Sequence, residues 1–124
     1  MIRNLVKGEV LPEKLQTGFE SGKNVDADWV FIAEREGKPV GILVCAPAHV
    51  VVVLMRLVMS EEADTNDARS LLLHMVKAIK ERGYNGYYTI VDPEIRAEAT
   101  LGRIIEMTGG IRIPKPQFVC VGAV

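Results

Sequence analysis

The chain is short of the features that mark several protein classes. It has only two cysteines, Cys45 and Cys120. Each lies inside an apolar, strand-like stretch where a thiol packs as a small hydrophobe, so buried free thiols are expected rather than a disulfide. The two histidines, His49 and His74, stand far apart with no Cys or His cluster around them, and no metal site is expected. Neither adjoins a Ser or Cys in a nucleophile motif. The longest apolar run, Val50 to Met55, falls far below the roughly 20 residues of a membrane span. The N-terminus has no basic region leading into an apolar signal core. A reduced, cytoplasmic setting and no membrane partner are the expectation. Charge of neither sign dominates: 15 Lys and Arg against 16 Asp and Glu leave a formal net of −1. Such a balance creates no field to gather nucleic acid, and a nucleic-acid partner is disfavoured.

What is present fits one domain spanning residues 1–124, with 48% hydrophobic residues to build one core. Leu11, Leu15 and Phe19 recur at helical spacing behind Pro12, which predicts a short first helix loosened at Gly18. Trp29 to Arg35 and Val40 to Ala46 are apolar runs separated by Glu36-Gly37-Lys38-Pro39 and read as a β-hairpin. Pro47 is expected to interrupt pairing before a third strand, Val50 to Met59, rich in β-branched residues.

An amphipathic helix follows, with Ala68, Leu71, Leu72, Met75, Val76 and Ile79 on one stripe and Arg69, His74, Lys77 and Glu81 opposite. Gly83 closes it, and Tyr84 to Val91 reads as a strand parallel to the one before the helix. Asp92-Pro93-Glu94 has the chemistry of a helix start. The helix beyond it turns Ala97, Leu101, Ile104, Ile105 and Thr108 inward and ends in a C-cap at Gly109-Gly110. Gln117 to Val124 reads as a closing strand. The predicted order is α, β, β, β, α, β, α, β.

A strand that runs straight into a helix N-terminus presents unpartnered N–H groups and a positive dipole end, which favours an anion. A phosphorylated ligand near residues 60–70 is therefore the first expectation. Arg56 interrupts an apolar strand and is expected to reach the sheet edge or to pair with Glu94 or Glu98, in a structural role.

These elements and several local sequences resemble the GNAT superfamily of acyl-CoA-dependent N-acyltransferases from about Trp29 onward. Glu34-Arg35-Glu36-Gly37-Lys38-Pro39-Val40-Gly41 is similar to the family's hairpin. Arg56-Leu57-Val58 is similar to the end of its fourth strand, and Glu81-Arg82-Gly83-Tyr84 to the close of the next helix. The pyrophosphate motif, Q/R-x-x-G-x-G/A, falls on Ala63-Asp64-Thr65-Asn66-Asp67-Ala68. Ala68 meets the last position, and Asn66 is the best non-glycine substitute where φ is positive. Ala63, Asp64 and Asp67 depart from the pattern, the two aspartates placing negative charge where a pyrophosphate would lie.

The resemblance implies an α/β fold of α+β type: a mixed, mostly antiparallel sheet flanked by helices, with a shortened N-terminal region, since only 28 residues precede Trp29. It implies acetyl-CoA or another acyl-CoA as co-substrate and an amine acceptor. The pantetheine arm is expected on Leu57, Val58 and Met59, and the phosphates on Asn66, Asp67, Ala68, Arg69 and Ser70. Glu61 and Glu34 are the candidate general bases. The tyrosine that protonates the departing thiolate in many members falls on Ile105, and the nearby asparagine on Glu98, which leaves Tyr88 as a substitute. The competing reading is a non-catalytic protein that keeps the fold for binding or assembly, with Phe118 to Val124 a candidate strand for pairing across a homodimer.

Overall fold

The computed structural model describes residues 1–17, 26–91, 94 and 96–111. Among these residues, five strands form one sheet in the order β1-β2-β3-β4-β5. They are β1 (Ile2–Asn4), β2 (Val30–Arg35), β3 (Lys38–Ala48), β4 (Val51–Met59) and β5 (Gly86–Tyr88). Neighbours are antiparallel as far as β4. Strand β5 is parallel to β4, because the helix α2 (Thr65–Glu81) carries the chain back across the sheet. A single turn, α1 (Glu13–Gln16), precedes the hairpin, and α3 (Arg96–Met107) follows β5. This is the mixed, mostly antiparallel architecture expected from the sequence.

The β2–β3 hairpin is closed by two residues, Glu36 and Gly37, between the paired Arg35 and Lys38. Both have positive φ, at 52° and 76°, as a turn matched to strand twist requires. Strand β3 is longer than the hairpin read from sequence. Pro47 does not interrupt it: Pro47 pairs with Val52, and Ala48 with Val51. Strand β2 accompanies β3 only to Val44, so Pro47 lies past the shared ladder, where a missing N–H breaks no bond. Strand β1 is an addition to the predicted order. Three residues carry no alternation to read, and the strand exists because Ile2, Arg3 and Asn4 pair with Ala33, Ile32 and Phe31.

The core has two parts, one on each face of the sheet. On one face Phe31, Leu43, Cys45 and Leu54 pack against Leu71, Leu72 and Met75 of α2 and Leu101, Ile104 and Ile105 of α3. On the other, Val30, Ile32, Ile42 and Val44 are covered by Leu11 and Leu15. A Cβ on Gly41 would stand 2.8 Å from the Met59 sulfur and 3.2 Å from Leu71, so glycine lets Met59 lie across β3 beneath α2. Residues Phe19, Asp92-Pro93 and Gln117 to Val124, including Cys120 and the candidate dimer strand, fall outside the described residues, as does the side chain of Ala97.

One residue of the α2 stripe is corrected. Val76 is 36% exposed while Ala78 is buried. Each residue turns the helix by about 100°, which puts Val76 roughly 40° beyond Leu72 and outside the buried arc. His74, on the arc's other border, turns its ring edge to Phe31 at 5.3 Å. Burial first, then the Lys77 and Arg82 charges, hold its pKa below the ordinary 6.5, against the opposite pull of Glu81. As pH falls through that range the unfolded chain takes up a proton that the folded one still refuses, so stability drops with falling pH. His74→Gln is expected to flatten the loss of Tm between about pH 7.5 and 5.5. An unchanged slope would show that His74 has no part in it.

Helix α3 ends as the sequence suggested. Gly110 N–H reaches the Ile105 carbonyl at 2.8 Å and Gly109 N–H the Glu106 carbonyl at 3.2 Å, a glycine C-cap. Thr108 lies beyond the helix, and its hydroxyl donates to the Ile104 and Ile105 carbonyls at 3.1 and 3.0 Å.

Candidate active site

Strand β4 has one more residue than the stretch of β3 opposite it. Cys45 pairs with Leu54 and Val44 with Arg56, so Met55 is a β-bulge, half exposed at 50%. A bulge bends its strand and increases the local twist. Pairing with β5 ends at this place: Val51, Val52 and Val53 pair with Gly86, Tyr87 and Tyr88. Beyond them a side-chain bond, Thr89 Oγ1 to the Leu54 carbonyl at 3.1 Å, bridges the strands. Among the described residues, the rest of β4 continues beside β3 alone.

The direction of its main-chain groups follows from one bond. Ser60 N–H donates to the Val40 carbonyl at 2.8 Å. By the alternation of an antiparallel ladder, Val58 and Arg56 also turn their N–H and C=O toward β3. Leu57 and Met59 turn theirs to the side that β5 has left. Of the three residues expected to hold a pantetheine arm, Leu57 and Met59 present main-chain groups that are open among the described residues, and the groups of Val58 belong to the β3 ladder.

At the end of β4 the chain passes through Glu61 and Glu62, both exposed, into α2. The helix starts at Thr65, so the N–H groups of Ala68, Arg69 and Ser70, among the residues expected to hold phosphate, lie inside it. Ala68 N–H is taken by the Asp64 carbonyl at 3.4 Å, and Arg69 and Ser70 lie within the first turns. The pole closes on itself in a capping box. Asp67 N–H donates to Asp64 Oδ1 at 3.0 Å, and Asp64 N–H to Asp67 Oδ2 at 2.9 Å. Arg35, reaching from β2 on the α2 face, grips both carboxylates: its terminal nitrogen is 2.6 Å from Asp64 Oδ2 and its Nε 2.8 Å from Asp67 Oδ2. The bond from Asp67 N–H first, and Arg35 after it, hold the Asp64 carboxyl below its ordinary pKa. Lys38 meets Glu62 at 3.2 Å.

The other candidates are spread over the molecule. Glu34 lies on β2, separated from β4 by β3, and is ion-paired with Arg3 at 2.9 Å; the same guanidinium holds Glu9 at 2.6 Å. The Arg3 hydrogen bond brings the Glu9 carboxyl down to about 2. Glu34 is thus committed on the far side of the sheet from the bulge. Tyr88 closes β5 opposite Val53, beside the place where the strands part. Tyr87 points the other way, into the α2 core, and burial raises its pKa. Arg56 is exposed on the α1 face and donates to the Thr17 carbonyl at 3.3 Å. Burial pushes the Cys45 thiol up to about 12, an inert core thiol. Among the described residues no group of His, Cys, Asp and Glu is placed to hold a metal ion. No helix there is long and apolar enough to cross a membrane. An open cavity of about 400 Å³ at the other end of α2 is lined by Asp28, Trp29, Arg82 and Tyr84. The Arg82 guanidinium lies over the Trp29 ring at 4.5 Å and donates to the Asp28 carbonyl.

Reading the residues alone missed Arg35 and the bulge, although both left signals. Strand alternation from Phe31 and Ala33 puts Arg35 on the α2 face. Leu54 and Leu57, three apart in a strand yet both packed toward α2, require an extra residue between them.

No protein-family model matches the chain, and no curated protein sequence matches it. Solved structures do. TTHA1254 from Thermus thermophilus superposes with a TM-score of 0.68 at 19% identity, covering 98% of this chain and 96% of that one. Aminoglycoside N-acetyltransferase AAC(6')-Iy, solved in complex with CoA, gives 0.69 at 15% identity over 96% and 97%. The ribosomal-protein-S18-alanine N-acetyltransferase from Escherichia coli gives 0.65 at 15% identity over 88% and 76%. At these identities the likeness is one of fold.

Proposed function

On the GNAT fold that this chain has, we propose that it transfers an acyl group from acetyl-CoA or another acyl-CoA to a primary amine. The observation that carries this reading is the open edge of β4, where the bulge at Met55 and the early end of β5 leave the main-chain groups of Leu57 and Met59 unpaired among the described residues. An extended amide chain such as pantetheine pairs with such an edge as an added strand does. The Leu57 N–H is the donor for the thioester oxygen as negative charge develops there. The nucleotide end of the donor extends toward the first turn of α2, at Asn66, Asp67, Ala68, Arg69 and Ser70.

The amine, once deprotonated, attacks the thioester carbon. A C–N bond forms, the C–S bond breaks, and the leaving thiolate takes up a proton. Glu61, exposed just past β4, is the base for the amine, directly or through a water. Glu34 is held by Arg3 and contributes structure. Tyr88, at the parting of β4 and β5, is the candidate donor to the thiolate. Most of the rate comes from holding two substrates together, which is worth more than any single acid.

Thermal unfolding with millimolar acetyl-CoA tests the reading, with ATP as control. At tenfold excess over Kd a ligand of the native state adds about 1.4 kcal/mol, a rise of about 5 °C or more in Tm for a domain of this size. A shift with acetyl-CoA and none with ATP is the expected result. No shift with either moves the assignment to a non-catalytic binding protein, the reading that the self-closed pole of α2 favours.

A further inference from the structure

We infer that this site recognises its donor by the acyl-pantetheine arm alone, so that its substrate class is acyl-pantetheine thioesters whether or not a nucleotide is attached. The inference rests on the acyl-transfer reading and concerns the same site. Three observations support it. The first is the occupancy of the α2 pole. A helix N-terminus binds phosphate with its free N–H groups, but here Asp67 N–H is bonded to Asp64 Oδ1 at 3.0 Å and Ala68 N–H to the Asp64 carbonyl at 3.4 Å. The anion that completes this pole is part of the chain.

The second observation is the state of the cations. A diphosphate needs counter-charge, and the guanidinium nearest the pole, Arg35, is held between Asp64 and Asp67 at 2.6 and 2.8 Å. Lys38 is held by Glu62 at 3.2 Å. Arg69 adds one more positive charge and Glu61 one more negative, so carboxylates outnumber cations in the loop and first turn. The third is the contrast with β4. At Leu57 and Met59 the main-chain groups that would pair with pantetheine amides stand open, among the described residues. One end of the donor meets unpaired groups and the other meets groups already paired.

Isothermal titration of the full chain with coenzyme A, 4′-phosphopantetheine, pantetheine and adenosine 3′,5′-bisphosphate, at low and high NaCl, tests this. Pantetheine is expected to bind within about threefold of coenzyme A, and adenosine 3′,5′-bisphosphate not at all. Raising the salt is expected to leave coenzyme A affinity unchanged or higher, since screening removes no attraction. Coenzyme A binding more than about tenfold tighter than pantetheine and weakening with salt would overturn this inference and leave acyl transfer standing. No binding by pantetheine or coenzyme A would overturn both. Asp64→Asn with Asp67→Asn releases Arg35 while keeping a good N-cap residue. It is expected to tighten coenzyme A by about tenfold and leave pantetheine unchanged. Glu61→Gln with Glu62→Gln leaves the capping box intact and is expected to act in the same direction by about threefold. Equal coenzyme A affinity in both variants and the parent chain overturns the inference.

Discussion

Replacing Leu57 by proline is expected to lower acyl transfer from acetyl-CoA by about 10²–10³-fold, the usual loss when one oxyanion donor is removed, while the sheet stays folded. Ladder alternation from the Ser60–Val40 bond turns the Leu57 N–H away from β3. Proline there deletes a donor that no described group uses, at a position equivalent to a sheet edge, where proline is tolerated. The neighbouring substitution supplies the contrast. Val58 turns its N–H into the β3 ladder, so Val58→Pro breaks a sheet hydrogen bond and is expected to destabilise the protein outright. Release of free coenzyme A thiol with a panel of primary amines reads the first effect, and circular dichroism with thermal melting reads the second. A folded Leu57→Pro protein that turns over at the parent rate would remove the β4 edge from the mechanism.

Phe31→Ala is expected to cost about 3–5 kcal/mol of stability. Phe31 is fully buried in β2, which has neighbours on both sides. Its ring meets the His74 edge at 5.3 Å, and the Arg82 guanidinium lies 5.8 Å from its centre. Truncation opens a cavity between the sheet and α2 that rigid β2 cannot collapse to fill, and it removes the partner that shields His74. For a domain with about 5–15 kcal/mol of total stability, the expected drop in Tm is about 15 °C or more. Calorimetry would decide it. A drop of only a few degrees would mean that α2 settles into the space and that the core on this face is plastic.

Much of the fold could be read from local chemistry, because each element announces itself in residues that touch one another in sequence. The α2 stripe, the Glu36-Gly37 turn and the Gly109-Gly110 cap are of this kind. What escaped depends on partners distant in the chain. Ile2–Asn4 is a strand only because Ala33, Ile32 and Phe31 offer it a free edge. Pro47 stays in a strand only because β2 stops at Val44. At the site the same division holds. The negative charges of Asp64 and Asp67 were visible as departures from a phosphate loop, yet that they cap their own helix and hold Arg35 is a matter of three-dimensional reach. Glu34 read as a base because its sequence neighbours resemble a family hairpin, and Arg3, 31 positions earlier, is what ties it down.

The bulge at Met55 makes the cleft depend on residue count as well as residue type. Since Leu54 and Arg56 already pair with the adjacent Cys45 and Val44, a chain lacking Met55 would keep its partners on β3 and lose only the bend. The last strand would then be free to follow β4 past Tyr88, and the opening would close into continuous sheet. A single codon deletion, which leaves the apolar character of the strand unchanged, would thus close the opening on which the proposed donor site depends.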